Sequence, residues 1–297
     1  MSSHQDNNHP AKITKAVFPV GGLGTRFLPA TKSMPKELMP IIDKPLIQYA
    51  VEEALAVGIE TLIFVTSASK HAIFDHFDPM PSLKMRFEQQ GRMDLVEKVN
   101  ILSPDIKTVY IPQGEPLGLG HAVLQAQSLI GVNEMFTVLL ADDFIEAPQN
   151  PLLALIECAR VTGQTTLSVE QVPAERISSY GIVSPKQWHQ GTAEIDAIVE
   201  KPHKDEAPSD FGVIGRYVLP ARIFEVLKAT PADGKGEIQL TDAIKTLLQQ
   251  EGVHAVQLDG QRFDCGHHEG FVMANLHVAM KDPQLRTKIS NYLNDQG

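Results

Sequence analysis

Apolar runs at 16–20, 61–66, 108–111 and 136–140 punctuate the first half of the chain, and each gives way to a glycine-rich or polar break. Short runs that stay apolar through their centres predict strands of a parallel sheet covered on both faces. Between them the period lengthens. Leu46, Ile47, Ala50, Val51, Ala54 and Leu55 share one helical face, with Asp43 placed to cap its start, Pro45 in the first turn and Gly58 at its end. Further helices are predicted over 70–77, which Pro79 and Pro81 break, over 83–99 as one charged amphipathic insertion, and over 122–129. This alternation predicts an α/β fold, a doubly wound sheet with right-handed crossovers. Ligands of such sheets sit at the carboxyl ends of strands, and the glycine turn after 16–20, Gln113 and Asp142 all fall there.

The second half is richer in strands, predicted over 165–171, 195–200, 213–218 and 253–258. Helices are predicted over 222–227, 241–250, 270–280 and 284–293. The pattern reads as a strand-rich extension of a mixed sheet, followed by a helical C-terminal tail. No internal repeat or low-complexity linker divides it.

Composition narrows the function. The 297 residues suit one large α/β domain or two ordinary ones, and 43% hydrophobic with 21% charged residues is the balance of a soluble globular protein. A formal net charge of -10 argues against nucleic acid as a partner. An anionic substrate must then meet a local cationic site, for which Arg26, Lys36 and Lys201 are candidates. Cys158 and Cys265 form neither a disulfide framework nor a zinc spacing, so a reduced, cytoplasmic setting is expected. No apolar run reaches membrane-spanning length, so no membrane partner is expected, and the polar start is not a signal peptide. A disordered tail is expected over 1–12.

The most chemically informative stretch is Gly21-Gly22-Leu23-Gly24-Thr25-Arg26, directly after the first strand. Glycines there let backbone N–H groups approach a ligand, and Arg26 and Lys36 add two permanent cations, as polyphosphate binding requires. It is not a Walker loop, because Gly24 is followed by Thr25-Arg26 rather than Lys and Ser or Thr. It is not the dinucleotide pattern either, because Phe27 stands where the third glycine belongs.

Extended through Phe27-Leu28-Pro29-Ala30-Thr31-Lys32-Ser33-Met34-Pro35-Lys36-Glu37-Leu38, the stretch resembles the signature of sugar-nucleotidyltransferases, most closely the bacterial enzymes that join UTP to glucose 1-phosphate. The resemblance extends from about 15 to 280. It implies a Rossmann-like doubly wound mixed sheet of the nucleotide-diphospho-sugar transferase type, as one domain over 13–280. The nucleotide half would cover about 13–150 and the sugar half 151–268, with C-terminal helices over 269–297 serving oligomerisation. It implies Arg26, Lys36 and Lys201 as catalytic cations. It gives nucleotide contacts to Gly21, Gly22, Leu23, Gly24, Gln113 and Gly118, and sugar contacts to Gly181, Glu200 and Gly215. It assigns Mg²⁺ to Asp142 and Asp264. The small-molecule substrates would be UTP and glucose 1-phosphate, and the assembly a homodimer or homotetramer.

Each assignment has a plainer reading beside it. Asp142 could be a loop or helix-capping aspartate, although a carboxylate after a buried strand also suits Mg²⁺ on a nucleotide. Asp143 keeps the plain reading. Asp264 precedes Cys265-Gly266 and could be a turn residue. Cys265, His267 and His268 lie too close together for zinc. Pro202 is expected to hold Lys201 extended, and Thr241 or Gln239 could simply cap the following helix. Gln113 carries an amide that both donates and accepts, as the edge of uracil requires. Competing readings are a thymidylyl- or adenylyltransferase on a related sugar phosphate, a Rossmann dehydrogenase, and a regulatory subunit of transferase fold. The last is disfavoured by the presence of all five charged residues, Arg26, Lys36, Asp142, Lys201 and Asp264.

Overall fold

The computed structural model describes residues 12–68 and 70–296. The expected tail lies outside the described residues except for Lys12, whose ammonium pairs with Glu60. The strands are β1 (Lys15–Pro19), β2 (Pro40–Ile41), β3 (Lys44–Pro45), β4 (Thr61–Thr66), β5 (Lys107–Pro112), β6 (Met135–Leu139) and β7 (Asp143–Glu146). They continue as β8 (Thr165–Gln171), β9 (Gly181–Pro185), β10 (Thr192–Glu200), β11 (Phe211–Pro220), β12 (Val253–Gln257) and β13 (Gln261–Asp264). Helices are α1 (Leu46–Ala56), α2 (His71–Phe77), α3 (Pro81–Gln89), α4 (Met93–Val99) and α5 (Leu119–Gln125). After them come α6 (Pro151–Thr162), α7 (Ile223–Ala229), α8 (Leu240–Leu248), α9 (His268–Ala279) and α10 (Pro283–Gln296).

One mixed sheet runs in the order β5-β4-β1-β6-β11-β8-β12-β10-β9 among the described residues. β1, β4, β5 and β6 are parallel. From β1 the chain steps outward through β4 to β5, then returns to the other side of β1 as β6, and this reversal opens a crevice beyond the ends of β1 and β6. β11 lies antiparallel between β6 and β8, so one sheet passes through both halves. Alternate residues feed two cores. Val17 joins Val138 and the apolar sides of α5, α7 and α8, while Ala16 and Phe18 join α1, α2 and α6 on the opposite face. Both faces of the central strands are therefore covered, which is why their sequences lack polar alternation.

Several elements differ from the sequence expectation. Asp43 does not cap a helix: it sits in the turn between β2 and β3, and α1 starts at Leu46, whose N–H donates to Met39 O at 3.1 Å. The backbone thus satisfies the donor a cap would have served. The single helix expected over 83–99 is two, α3 and α4, separated where Gly91 adopts φ +68. α6 was not expected, although Asn150 Oδ1 accepts from Leu152 N at 2.9 Å and Pro151 opens the first turn. Gly181–Pro185 forms β9, a strand that the sequence pattern does not predict. Lys201 is not extended but left-handed, at φ +42, because the chain turns sharply while its N–H donates to Tyr180 O.

Candidate active site

β1 ends at Pro19, and Val20 N still donates to Val65 O before the chain leaves the sheet. Gly21 is buried, whereas Gly22 and Leu23 are exposed. Gly24 takes φ +63, and Thr31 Oγ1 donates to its carbonyl at 2.7 Å, so the turn is closed by its own following segment. A Cβ at Gly21 would come within 2.5 Å of Gln113 Oε1, so only glycine leaves that amide its place. The resulting cleft of about 390 Å³ is lined by Gly21, Gly22, Leu23, Gln113, Gly118 and Glu237, among others. Gly118 has φ +98, and a Cβ there would meet Ile238 O at 2.8 Å. Its carbonyl accepts from Gln113 Nε2 at 3.3 Å.

Beside this cleft two carboxylates converge. β13 pairs antiparallel with β7, which sets Asp264 opposite Asp143 and next to Asp142. Cys265 N donates to Asp142 O at 2.8 Å. A Cβ on Gly266 would lie 3.0 Å from Asp264 Oδ1 and 3.3 Å from Asp142 Oδ2, so both side chains face the one space that Gly266 leaves open. Lys36 Nζ stands 2.5 Å from Asp142 Oδ2. Burial pushes the Asp142 carboxyl up, but the Lys36 ammonium overrides it and holds the group below the usual range. Burial likewise works to lower the Lys36 pKa, and Asp142 and Glu37 more than offset it, so Lys36 stays firmly charged.

The segment carrying Lys36 is itself anchored. Glu37 is 2% exposed and paired with Lys70 at 2.8 Å, while Lys70 Nζ also donates to Val20 O at 2.6 Å. This buried pair ties the lysine segment to the end of β1. Arg26 is exposed on the open side, near enough for its charge to press on Lys36.

The sugar-side candidates join through Tyr180. Its hydroxyl donates to Asp264 Oδ2 at 3.0 Å and accepts from Arg176 Nη2 at 2.8 Å and Arg262 Nη2 at 2.9 Å. Its carbonyl takes the Lys201 N–H at 3.0 Å. Lys201 Nζ lies 2.8 Å from Glu200 Oε1, and a Cβ at Gly181 would lie 3.4 Å from Glu200 Oε2 and 3.1 Å from Thr241 Oγ1. Gly215 is placed apart from these. It is buried, and a Cβ there would meet Asp143 Oδ2 at 2.3 Å, so its missing side chain makes room for Asp143 beneath the cleft.

Asp143 is not a loop aspartate. It opens β7, pairs with Arg262 at 2.6 Å, and its carboxyl is pushed up to about 6, by burial first and then by Asp142 and Asp264. Arg262 also reaches Glu170, and Arg176 reaches Asp264 at 2.8 Å. Sequence reasoning missed Arg176, Arg262 and the Tyr180 hydroxyl, because an arginine in a polar loop or strand carries no signal of its partner. Cys265 Sγ faces Gly270 O, and His268 packs on the Phe27 ring at 4.7 Å. Gln239, at the N-cap of α8, makes no side-chain cap bond and donates instead to Asp233 and Glu237.

The donor set suits a magnesium ion carried on a nucleotide, which needs one or two carboxylates and takes its remaining ligands from phosphates and water. Among the described residues no group of three or more His, Cys, Asp or Glu side chains is arranged as a metal cage. Asp142 and Asp264 supply the two carboxylates such an ion would take, so the residues present fit it.

A family model described as nucleotidyl transferase matches residues 15–281. A UTP–glucose-1-phosphate uridylyltransferase of Staphylococcus saprophyticus is 44% identical over 282 residues, covering 95% of this chain and 98% of that one. A UTP-bound UGPase from Acinetobacter baumannii superimposes with a TM-score of 0.87 at 40% identity, over 96% of this chain and 100% of that one. A UDP-glucose pyrophosphorylase complexed with UDP-glucose gives a TM-score of 0.82 at 37% identity, over 91% of this chain and 100% of the other.

Proposed function

The chain belongs to the nucleotidyl transferase family, and we propose that it transfers the uridylyl group of UTP to glucose 1-phosphate, releasing pyrophosphate and forming UDP-glucose. The observation that carries this reading is the meeting of Lys36, Asp142 and Asp264 around Gly266, beside the glycine-lined cleft. Similarity to enzymes named for this activity, along nearly the whole chain, selects uridylyl transfer from the family's chemistry.

A phosphate oxygen of the sugar phosphate attacks the α-phosphorus in line, and pyrophosphate departs. A phosphate monoester dianion needs no general base, so the chain's work is positioning and charge neutralisation. The Gly21–Gly24 turn offers backbone N–H groups to the nucleotide, and Gln113 with Gly118 meets the base. Arg26 receives the leaving pyrophosphate, and Lys36 the transferring phosphate. Lys201 holds the acceptor phosphate while Glu200 and the Gly181 backbone contact hexose hydroxyls. Gly215 contributes by seating Asp143. Asp142 and Asp264 would hold Mg²⁺, which when bound neutralises nucleotide phosphate charge.

No helix among the described residues is long and apolar enough to cross a membrane. We read the protein as a cytoplasmic homodimer or homotetramer, with the exposed Tyr292 and Leu293 of α10 as candidate contacts. Light scattering checks the assembly, and a monomer overturns that part. The activity is tested with a matrix of UTP, dTTP, CTP and ATP against sugar 1-phosphates, following pyrophosphate. Turnover is expected with UTP and glucose 1-phosphate; exclusive use of dTTP or ATP overturns the uridylyl reading.

A further inference from the structure

Gln113 has its amide fixed from behind. Its Nε2 lies 3.3 Å from Gly118 O and 3.2 Å from His121 Nδ1, while its Oε1 lies against cleft-lining Gly21, 2.5 Å from where a Cβ on that glycine would stand. A backbone carbonyl only accepts, so the amide nitrogen must be the end turned toward Gly118. That leaves an acceptor oxygen on the ligand side. The second anchor depends on the imidazole. A neutral ring offers one donor and one acceptor, yet His121 Nε2 is also 3.1 Å from Gln125 Nε2. Both amides cannot donate to it. A carbonyl orients each amide, since Gln125 Nε2 also donates to His121 O at 3.2 Å, so burial decides. Gln113 is 8% exposed and has no solvent to take its second hydrogen, whereas Gln125 is half-buried and satisfied by that carbonyl and solvent. The ring proton then belongs on Nε2, and the Nδ1 lone pair faces Gln113.

On the uridylyl reading of the cleft, we propose that His121 is a positioning residue for base selection. Through Nδ1 it holds the Gln113 amide with Oε1 toward the ligand, so the site takes pyrimidines with an imide N–H and refuses cytosine. Uracil and thymine carry a hydrogen at N3 that Oε1 accepts. Cytosine carries a lone pair at N3, which would face that oxygen. An amide held by the Gly118 carbonyl alone turns more easily and loses part of this distinction, while the phosphate groups stay where they are.

The test measures UTP and CTP dissociation constants by calorimetry for the full-length wild type, His121→Leu and His121→Asn, with kcat and KM alongside. Loss of one anchoring hydrogen bond, on the order of 1.4 kcal/mol, corresponds to about a tenfold loss of the UTP-over-CTP ratio in His121→Leu. KM for UTP should rise and kcat at saturation should stay near wild type. His121→Asn, whose Oδ1 stands where Nδ1 stood, should restore the ratio. An unchanged ratio in His121→Leu overturns the proposal, as does equal loss in His121→Asn. Should a variant fold poorly, ¹⁵N NMR of the wild-type imidazole decides: an unprotonated Nδ1 supports the proposal and an Nδ1–H signal refutes it. A wild type that binds UTP while His121 proves silent defeats only this inference, whereas one that binds no uridine nucleotide defeats the uridylyl reading and this inference with it.

Discussion

Lys36 Nζ sits 2.5 Å from Asp142 Oδ2, a contact that joins the segment after the glycine turn to the end of β6 across 106 positions of chain. The pair places a firmly charged ammonium beside the carboxylate proposed to hold metal. Replacing Lys36 with alanine should lower kcat by roughly 10²–10³, the scale for losing one preorganised charge-stabilising group. Steady-state kinetics with circular dichroism on the same sample checks this. Near-wild-type turnover in a folded Lys36→Ala would remove the residue from the chemistry.

Gly266 gives a sharper handle on the metal. A methyl group there would stand 3.0 Å from Asp264 Oδ1 and 3.3 Å from Asp142 Oδ2, inside the space both carboxylates face. Gly266→Ala should weaken Mn²⁺ or Mg²⁺ binding in the presence of UTP by about tenfold, equivalent to roughly 1.4 kcal/mol, with little change in melting temperature. Titration followed by electron paramagnetic resonance of Mn²⁺ reads this without turnover. Unaltered affinity would show that the ion is held elsewhere.

How much of this was legible in the sequence varies with the range of the contact involved. Strands such as β4, continuously apolar and flanked by polar residues, were readable to the residue because local pattern alone defines them. The glycine turn, Gln113 and Asp142 were readable as strand-end positions. Their meeting was not, because it depends on the reversal at β1 that only the sheet order provides. Asp143 and Arg262 lie 119 positions apart, and nothing local to either announces the other. Lys201 was misread because proline restricts the preceding residue's right-handed helical region but does not bar the left-handed one.

Arg262 should prove essential to stability. Its side chain is 5% exposed and divided between Asp143, Glu170 and the Tyr180 hydroxyl. Arg262→Met strands buried carboxylates and should cost about 3–5 kcal/mol. Adding Asp143→Asn should recover part of that loss, with a coupling on the order of 0.5–3 kcal/mol. Denaturant unfolding of the single and double variants measures both. Strictly additive losses would mean that the two side chains do not share one network.

Lys201 carries a backbone conformation that a lysine does not favour, φ +42, and a side chain proposed to bind phosphate. The two roles separate in a pair of variants. Lys201→Ala and Lys201→Gly should both lose activity, by roughly 10²–10³ in kcat. Lys201→Gly should nevertheless be the more stable of the two by about 0.5–1 kcal/mol, because glycine enters the left-handed region without the Cβ clash. Equal stability would indicate that the turn relaxes once the ion pair with Glu200 is gone.

The last prediction concerns acid. Glu146 of β7 accepts from Lys281 and from His277 Nε2 at 2.6 Å, and so fastens the C-terminal helices to the strand that faces Asp264. The Lys281 bond, and then the His277 bond against the opposing effect of burial, hold the Glu146 carboxyl below its usual value of 4.5. A depressed carboxyl contributes stability above its unfolded pKa and loses it as pH falls through the folded one, so the window lies below about 4.5. The side chain is 39% exposed, which limits the contribution through solvent screening to about 1 kcal/mol or less. Wild type should therefore melt a few degrees above Glu146→Gln at pH 7, and the gap should narrow as pH falls below about 4.5 and close in acid below the depressed folded-state pKa, where the wild-type carboxyl is itself neutral. A gap that persists unchanged in that acid would mean the glutamate stabilises by packing rather than by charge.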